Sequence, residues 1–410
     1  MPSGGADTAT LVAHTANVQM PVELGLTPGL FGRWRGRRGL ILEALGVAWL
    51  PWLTARVITA FALGLAKYEV KHFHITDTKA VLETHYGLLG SDAGWYQTIA
   101  ANGYGPLPRA ATRFFPLLPL LDRGVSDVTT MTVGIASLLI TNAASLLVGI
   151  GIYVLACAEY KDKDKVIARR AVWLIMLAPP AFVFVMGYSE ALLVLLAVAF
   201  FVAIRRRSWW WAAFFGYLAG TARPIGCLLV VPAVIEVLRC WRTDPWGRWP
   251  GKVAAIVSAG AGTVTYLAWV SRQYGGGFLE PLKIQQQQAH HGALADPVST
   301  IYHALTNLAH GHHIGDALHV PWIGVAVVLL VVAFWRLPVS YGAFALCVVV
   351  VALSGSNLDS FERYALSAFP LVLAGATLLK SPRVAAVTYV LCGAAMALYA
   401  ALAFQGAYVP

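Results

Sequence analysis

Long apolar runs, many close to the length of a membrane span, constrain this chain more than any other feature. A helix needs about 20 mostly apolar residues to cross the hydrocarbon core of a bilayer. The pattern predicts an all-α polytopic membrane protein with about 11 transmembrane helices. The candidate spans are Leu40–Ala66, Met131–Ala158, Ala171–Gly187, Ala191–Ile204, Trp209–Thr221, Ile225–Leu238, Val253–Val270, Val320–Trp335, Val339–Ser354, Tyr364–Leu379 and Val384–Phe404.

The composition supports a membrane protein and argues against a nucleic-acid-binding protein. Hydrophobic residues make up 58% of the chain and charged residues 12%, about half the charged share of a soluble domain. The net charge of +10 comes from short basic clusters between apolar runs, such as Arg205–Arg207. Such clusters are typical of membrane topology rather than of a nucleic-acid surface. We therefore expect membrane lipids as partners and no nucleic acid.

The basic clusters also predict the orientation. When the cluster at 33–38 is placed in the cytoplasm, the clusters at 161–170, 205–207 and 239–252 fall on the same side, as the positive-inside rule requires. We expect residues 1–38 to form a cytoplasmic tail without a signal peptide and residues 39–410 a single transmembrane domain. Segments 67–130 and 273–319 then form extracytoplasmic loops of a multi-pass plasma-membrane protein.

The strongest candidate for chemistry is the segment Ser91–Tyr104 in the first of these loops. It reads as a short helix that ends at Gly103 and lies along the membrane interface, with Trp95 and Ile99 on one face. Asp92 opens this helix. Its carboxylate either lines a cavity as a reactive group or caps the helix N-terminus, and spacing alone leaves both open.

The next segment of the same loop, Phe114–Leu121, is apolar and contains two prolines. We expect it not to be a plain helix, and to cover a groove for a lipid tail or to pack as a re-entrant segment. Arg113 precedes it. An arginine here could hold a phosphate or contact lipid headgroups.

Several other ionisable residues lie in or beside the apolar runs. Such groups are costly near a bilayer and normally face a partner or a wet cavity. Arg56 lies inside the first run, Glu190 follows Tyr188 and Ser189 in a very short turn, and Arg223 precedes Pro224. Glu362, Arg363 and Tyr364 open a later span. A structural Glu–Arg pair and a local salt-bridge network are the alternatives to roles in a cavity.

Metal binding is a weak prediction. His290, His291, His310, His312 and His313 fall in the second long loop, but no helical i, i+4 pairing or acidic partner accompanies them. The run Gln285–Gln288 beside them is a polar loop or helix face that could contact a sugar. The five cysteines show neither metal-ligand spacing nor a disulfide framework. We predict no metal ligands and leave a divalent-metal requirement open.

Taken in order, these segments resemble the PIG-V-like family of GPI mannosyltransferase II and its bacterial relatives. The likeness covers roughly residues 56–379, although Ser91 stands where the family usually has Trp, Asn102 where His often stands, and His290–His291 where a Trp is expected. The matching motifs are Asp92-Ala-Gly-Trp-Tyr96, Ile99-Ala100, Asn102-Gly-Tyr104, Phe114-Phe-Pro-Leu-Leu-Pro-Leu-Leu121, Tyr188-Ser-Glu190, Thr221-Ala-Arg-Pro224 with Gly226, and Phe361-Glu-Arg-Tyr364 leading to Pro370.

The resemblance implies a GT-C type glycosyltransferase. Such an enzyme would transfer mannose, with inversion, from a polyprenyl-phosphate donor to a glycolipid or other glycan acceptor on the extracytoplasmic face, and Asp92 would be the base. A transporter or flippase for a lipid-linked sugar is the alternative, and it predicts charges near the middle of several spans. The expected donor-phosphate ligands are Arg56, Arg113, Arg223 and Arg363, and the expected cavity residues are Trp95, Tyr96, Tyr188, Glu190, Gln288, His290, Glu362 and Tyr364.

Overall fold

The computed structural model describes residues 30–160, 165–287, 292–310, 316–356 and 358–408. By its internal contacts the chain divides into two units, Met1–Leu40 and Ile41–Pro410. Of the first unit the structure describes residues 30–40, which are helical although residues 30–38 fall in the predicted tail. All that follows concerns the second unit, which carries the helices and the candidate site.

The described residues contain α-helices and short 3₁₀ helices, and their only β pairing is an isolated bridge between Leu294 and Gly355. The 3₁₀ helices are Gly87–Leu89, Arg109–Arg113, Pro179–Phe184, Pro224–Leu229 and Trp246–Arg248. The α-helices are α1 (Leu30–His72), α2 (Thr78–Tyr86), α3 (Asp92–Asn102), α4 (Leu117–Thr129), α5 (Val133–Glu159), α6 (Val166–Leu177), α7 (Glu190–Arg205), α8 (Trp209–Ala222), α9 (Val230–Arg239), α10 (Trp249–Tyr274), α11 (Glu280–Gln285), α12 (Pro297–Ala309), α13 (Asp316–Arg336), α14 (Val339–Ala352), α15 (Phe361–Leu366), α16 (Pro370–Leu378) and α17 (Pro382–Phe404).

Five helical segments in the described part are long and apolar enough to cross a membrane. At 1.5 Å per residue, a helix of about 20 residues spans the hydrocarbon core of roughly 30 Å. Large apolar side chains stay exposed on these helices, as lipid contact requires. The prediction of an all-α polytopic membrane protein is therefore confirmed. The five segments are Gly39–His72, Val133–Glu159, Trp246–Tyr274, Leu318–Arg336 and Pro382–Phe404.

The other predicted spans correspond to shorter or broken helices, so the number of crossings remains a prediction. The predicted span Ala171–Gly187 is divided into α6 and the 3₁₀ helix Pro179–Phe184. Pro179 and Pro180 have no backbone N–H to continue the helix, and a proline ring also disfavours helical geometry in the residue before it. The predicted span Ile225–Leu238 is divided in the same way, into the 3₁₀ helix after Arg223 and α9.

Helix α7 forms the centre of the bundle. The fourteen residues between its first and last positions are all apolar, a pattern typical of a helix enclosed by others, and it packs against α5 and α8. Glu190 begins α7 and Arg205 ends it. The apolar body of the helix thus separates two charged ends by about 22 Å.

The Arg205 end is held by a buried ionic network. Arg205 donates to both oxygens of Glu159 at 2.6 and 2.9 Å, and its Nη1 lies 3.4 Å from the Glu236 carboxylate. Ser340 donates to Glu236 at 2.6 Å and Tyr341 to Glu159 at 3.0 Å. Because these residues belong to α5, α7, α9 and α14, the network fixes the register of four helices. Its charges are already paired, and we assign it a structural role.

Between α1 and α5, the chain folds back on the bundle through α2, α3 and α4. Helix α4 packs against α3 and α5 and contains Asp122, which is fully buried. Neither carboxylate oxygen of Asp122 has a hydrogen-bond partner among the described residues. Burial disfavours the ionised form and raises the pKa of Asp122 to about 7, although the nearby hydroxyl of Ser137 offsets part of this effect.

We expect Asp122→Asn to stabilise the protein at high pH and to have little effect at low pH. The folded-state pKa of Asp122 lies above its unfolded value, so the wild type loses stability as the pH rises from about 4 to about 7, by about 1.4 kcal/mol per pH unit. Asparagine is neutral throughout and avoids that loss. Thermal unfolding of wild type and variant in detergent at pH 5 and pH 8 would measure this difference in stability.

The matched control is Asp127→Asn, on the exposed side of the same helix beside Arg123. Its melting temperature should stay within a degree or two of wild type at both pH values. A melting-temperature difference for Asp122→Asn that is the same at pH 5 and pH 8 would show that Asp122 is not a buried neutral acid.

Candidate active site

A cavity of about 480 Å³ opens where the N-terminal end of α3 meets four other segments of the chain. Charged and polar groups occupy one side and apolar side chains most of the rest. The lining residues are Ser91, Asp92, Tyr96, Arg113, Phe114, Phe115, Tyr188, Arg223, Pro224, Ile225, Cys227, Leu228, Pro281, Leu282, Gln285, Gln286, Gly292, Leu294, Val351, Ala352, Ser354, Gly355, Ser360, Arg363 and Tyr364.

Helix α3 brings Asp92 to the edge of this cavity. The predicted helix is confirmed: it begins at Asp92 and ends before Gly103, whose φ of 71° suits glycine. Tyr96 lies on its buried face and shares a hydrogen bond of 2.6 Å with Ser189, while the Asp92 N–H donates to the Tyr188 hydroxyl at 3.3 Å. These contacts dock α3 on the turn that precedes α7.

The capping interpretation does not describe Asp92. Ser91 occupies the N-cap position, with φ of 48° and no capping bond from its side chain. The Asp92 carboxylate instead accepts a hydrogen bond of 2.6 Å from Nη1 of Arg363. Its side chain is 23% exposed and lines the cavity, whereas Arg363 is 5% exposed. The carboxylate therefore belongs to the cavity.

Arg363 also faces a second carboxylate, so the ion pairs form a chain. Its Nε lies 3.4 Å from Oε1 of Glu190, and the same oxygen accepts a short hydrogen bond from Arg223. The Tyr364 ring lies within cation–π range of both guanidinium groups, at 5.3 Å from Arg363 and 5.4 Å from Arg223. Charges thus alternate from Asp92 to Arg363, Glu190 and Arg223.

Arg113 supplies a third cation without a carboxylate of its own in the part of the chain that is described. Its Nε is buried without a hydrogen-bond partner, and its guanidinium lies 4.6 Å from the centre of the Phe114 ring. The backbone on either side is fixed, because the Tyr104 hydroxyl donates to the Phe114 carbonyl at 2.6 Å and that of Tyr266 donates to the Thr112 carbonyl at 2.8 Å. Three arginines thus face two carboxylates, an excess of one positive charge.

These cations determine the ionisation of Asp92. Burial by itself would raise the pKa of the carboxyl, but Arg363, Arg113 and Arg223 more than offset that effect and hold the pKa below its ordinary value. Asp92 is therefore ionised at neutral pH. A carboxylate held in this way is a weak base for as long as Arg363 stays on it.

Aromatic side chains close the cavity behind the charges. Phe114 stacks on Trp95 at 5.6 Å and meets Tyr96 edge-on at 5.1 Å, and Phe115 contacts Tyr266 at 4.6 Å. The rest of the proline-containing segment differs from expectation, because residues 117–121 form the start of α4. A helix tolerates proline within its first turn, where the N–H has no helical partner. The expectation that no plain helix forms is therefore wrong for these residues.

Seven predicted site residues meet in the cavity lining, and others lie elsewhere. Glu190 touches the arginines from behind the lining, and Trp95 lies behind Phe114. Gln288 and His290 fall outside the described residues. The seven are Asp92, Tyr96, Arg113, Tyr188, Arg223, Arg363 and Tyr364.

Arg56 and Glu362 are committed to other contacts. Arg56 donates to Asn142 Oδ1 at 2.9 Å and to the Phe184 carbonyl at 3.3 Å, which ties α1 to α5 and to the segment before α7. Glu362 accepts from Tyr408 at 3.0 Å and lies 2.9 Å from the His319 ring. Neither is part of the lining.

Part of the lining carries no signal in the sequence. Leu294 and Gly355 reach the cavity through their isolated β-bridge, which joins segments sixty residues apart and is closed by Ala295 donating to the Ser354 carbonyl at 2.9 Å. Gln286 belongs to the noted glutamine run, and Gln285 lies 3.4 Å from the Tyr364 hydroxyl. No group of three or more potential metal ligands occurs among the described residues.

Comparison with solved structures finds a structural likeness, while comparisons of the sequence find none. No protein-family model matches the chain, and no curated protein matches it, so the resemblance to the PIG-V-like family stays a prediction. The chain is similar to ArnT from Cupriavidus metallidurans, whose crystal structure has undecaprenyl phosphate bound, with a TM-score of 0.45 and 16% identity over 78% of this chain and 72% of ArnT. A likeness of this degree assigns no activity to the chain.

We expect Glu190→Gln to destabilise the protein strongly, by roughly 3 kcal/mol or more, because it leaves two buried arginines without their shared counter-ion. The control is Glu280→Gln, whose exposed pair with Arg109 should contribute less than about 1 kcal/mol. Thermal unfolding in detergent would compare the two. Equal shifts in melting temperature would mean that Glu190 does not hold the arginines together.

Proposed function

We propose that this protein is a membrane glycosyltransferase that moves a mannosyl residue from a polyprenyl-phosphate donor to an acceptor hydroxyl, with Asp92 as the base. The observation that carries the proposal is the cavity itself. A carboxylate, three arginines and an apolar wall converge there from segments far apart in the sequence. A lipid-linked sugar phosphate needs all three: a proton acceptor, cations for its phosphate and a surface for its chain.

The charge of the cavity favours a donor with one phosphate. The arginines exceed the carboxylates by one positive charge, with Arg113 the unpaired member. A sugar joined to a lipid through one phosphate is a phosphodiester with one negative charge, which the excess balances. A diphosphate-linked or nucleotide-linked sugar would bring at least two. The cavity is therefore better matched to a lipid monophosphate sugar.

The reaction follows from these positions. The acceptor hydroxyl binds within about 3 Å of the Asp92 carboxylate, gives its proton to that carboxylate, and its oxygen attacks the anomeric carbon. The bond from that carbon to the phosphate oxygen breaks, and Arg113, Arg223 and Arg363 stabilise the charge left on the phosphate. An electrostatic contact of this kind contributes about 3–4 kcal/mol to the lowering of a barrier. Direct displacement inverts the anomeric configuration.

The apolar wall of the cavity suits the lipid chain of the donor. The side-chain amides of two glutamines suit the sugar hydroxyls of the acceptor. Phe114, Phe115 and Leu228 are apolar residues of the lining that the arginines share. On another side, Gln285 and Gln286 lie near Tyr364 and offer donors and acceptors for sugar hydroxyls. A glycolipid or another glycan is therefore the proposed acceptor. Mannose and inversion are supported by the resemblance to the PIG-V-like family.

The extracytoplasmic placement of the site rests on the basic clusters. Arg205–Arg207 follow the end of α7 opposite Glu190, so the positive-inside rule puts that end in the cytoplasm and the cavity on the other face. Nucleotide sugars are made in the cytoplasm, which again favours a lipid-linked donor.

The transporter alternative depends on charges in the middle of spans, and the structure offers little support for it. Arg56 was the deepest candidate. Its guanidinium donates to Asn142 and to two backbone carbonyls. These contacts give Arg56 a structural role rather than the role of a transport ligand. The charged residues of the cavity lie at or close to the ends of helices.

We expect Asp92→Asn to lower transfer by about 10²–10⁴-fold, the usual contribution of a general base, while the protein still folds. Purified protein incubated with radiolabelled polyprenyl-phosphate mannose and membrane extract would measure transfer and reveal the labelled acceptor. Asp127→Asn, exposed on α4, is the control and should retain wild-type rates. Normal transfer by a folded Asp92→Asn variant would rule out the assigned base.

A pH profile tests the environment of the base. Activity needs ionised Asp92, and the arginines lower its pKa, so kcat/KM of the wild type should hold until the pH falls below the ordinary range of an aspartate. Arg113→Gln removes one of these cations. It should lower kcat/KM by about 10²-fold and move the acid limb to higher pH.

Arg123→Gln, an exposed cation in the same loop, provides the comparison and should leave both the rate and the acid limb unchanged. An acid limb that stays in place in Arg113→Gln would mean that the limb reports a group other than Asp92.

A further inference from the structure

Asp92 and the proposed phosphate need the same cation, and the geometry makes Arg363 available to both. Arg363 Nη1 lies 2.6 Å from Asp92 Oδ2, and both side chains line the cavity. On its other side, Arg363 Nε lies 3.4 Å from Glu190. Glu190 is 2% exposed and also bound to Arg223, so it anchors Arg363 whether or not Asp92 carries a charge.

The proposed reaction changes the charge of both partners of Arg363 at the same time. The lipid phosphate starts as a diester with one negative charge and leaves as a monoester, which carries close to two charges above its second pKa of about 6. Asp92 starts as a carboxylate and ends as a neutral acid. The excess charge of the three arginines over the two carboxylates therefore rises from one to two as the phosphate gains its second charge.

We propose that Arg363 is handed from Asp92 to the leaving lipid phosphate during the reaction. The acceptor oxygen bonds to the anomeric carbon, the bond from that carbon to the phosphate oxygen breaks, and its electron pair stays on the phosphate. The acceptor proton moves to a carboxylate oxygen of Asp92, which then no longer needs the guanidinium. This inference rests on the proposed function and assigns Arg363 a role beyond static phosphate binding.

The handover resolves a conflict in the resting site. A carboxylate paired with a buried arginine is a poor base, because protonation must break the ion pair. A phosphate that draws Arg363 toward itself weakens that pair and so makes Asp92 more basic as the bond to the sugar breaks. Arginine suits the task, since its planar fork presents several donors to different oxygens at once.

Binding of two prenyl lipids to purified wild type and variants tests the handover. Geranylgeranyl phosphate represents the monoester product, and its methyl ester the singly charged diester. Asp92→Asn imitates the protonated base and frees Arg363. It should shift the ratio of the two dissociation constants at least tenfold in favour of the monoester, which corresponds to about 1.4 kcal/mol.

Calorimetry in buffers of different ionisation enthalpy adds a second readout, the number of protons taken up on binding. The wild type should take up protons when it binds the monoester, because Asp92 becomes protonated, and Asp92→Asn should take up fewer. Equal uptake by the two would place the proton on the phosphate and overturn the inference. Asp92→Ala, also neutral, is measured in parallel in case one variant fails to fold.

Asp359→Asn is the matched control. It neutralises a carboxylate near α15 that lies 4.0 Å from His319 and does not line the cavity. The ratio of the two dissociation constants and the proton uptake of this variant should therefore match those of wild type. If folded Asp92→Asn shows the same ratio of dissociation constants as wild type, and wild type transfers mannose normally, the handover is refuted but the proposed function stands. If wild type binds neither lipid, both the proposed function and the inference that rests on it are refuted.

Discussion

The ion pair between Arg363 and Asp92 organises the rest of the site. A guanidinium that is 5% exposed has lost most of its hydration and must be compensated by nearby anions. Its two anions come from the first helical residue of α3 and the first residue of α7, which are 98 positions apart along the chain. Holding them together requires the intervening helices to pack in one arrangement. The site and the fold are therefore specified by the same contact.

The short helix α15 fixes where Arg363 points. Consecutive residues on a helix lie about 100° apart, so Glu362 and Arg363 face different surroundings. Glu362 turns toward His319 and Tyr408 on α13 and the C-terminal segment, while Arg363 turns toward the cavity. A helix of six residues has little stability of its own. The contacts of Glu362 hold α15 in place and set the direction of the neighbouring guanidinium.

The sequence predicted the helical membrane fold and most of the charged residues of the cavity, because both depend on local patterns. Apolar runs predict spans. A charged residue at the end of a span is costly near the bilayer, so its position alone marks it as a candidate, as for Glu190 and Arg223. The local sequence pattern could not predict which residue each charged side chain would contact. Arg56 and Arg363 were both predicted to bind the donor phosphate, and only the tertiary structure shows that Arg56 contacts Asn142 whereas Arg363 contacts Asp92. The hydroxyls of Tyr104 and Tyr266 fix the backbone around Arg113. Tyr104 lies in a motif of the sequence without an assigned role there, and Tyr266 carried no signal.

The two sides of the cavity differ in how firmly they are held, and this difference bears on specificity. The charged side lies on buried helix ends joined by ion pairs. The opposite side includes α11, whose Glu280 forms an exposed ion pair with Arg109, just before α4. Exposed pairs contribute little to stability, so this pair holds α11 less firmly than the buried pairs hold the arginines. A firmly held charged side and a less firmly held amide-bearing side would suit the proposed glycosyl transfer, in which bond breaking needs exact charge placement and the acceptor is recognised through its hydroxyl groups.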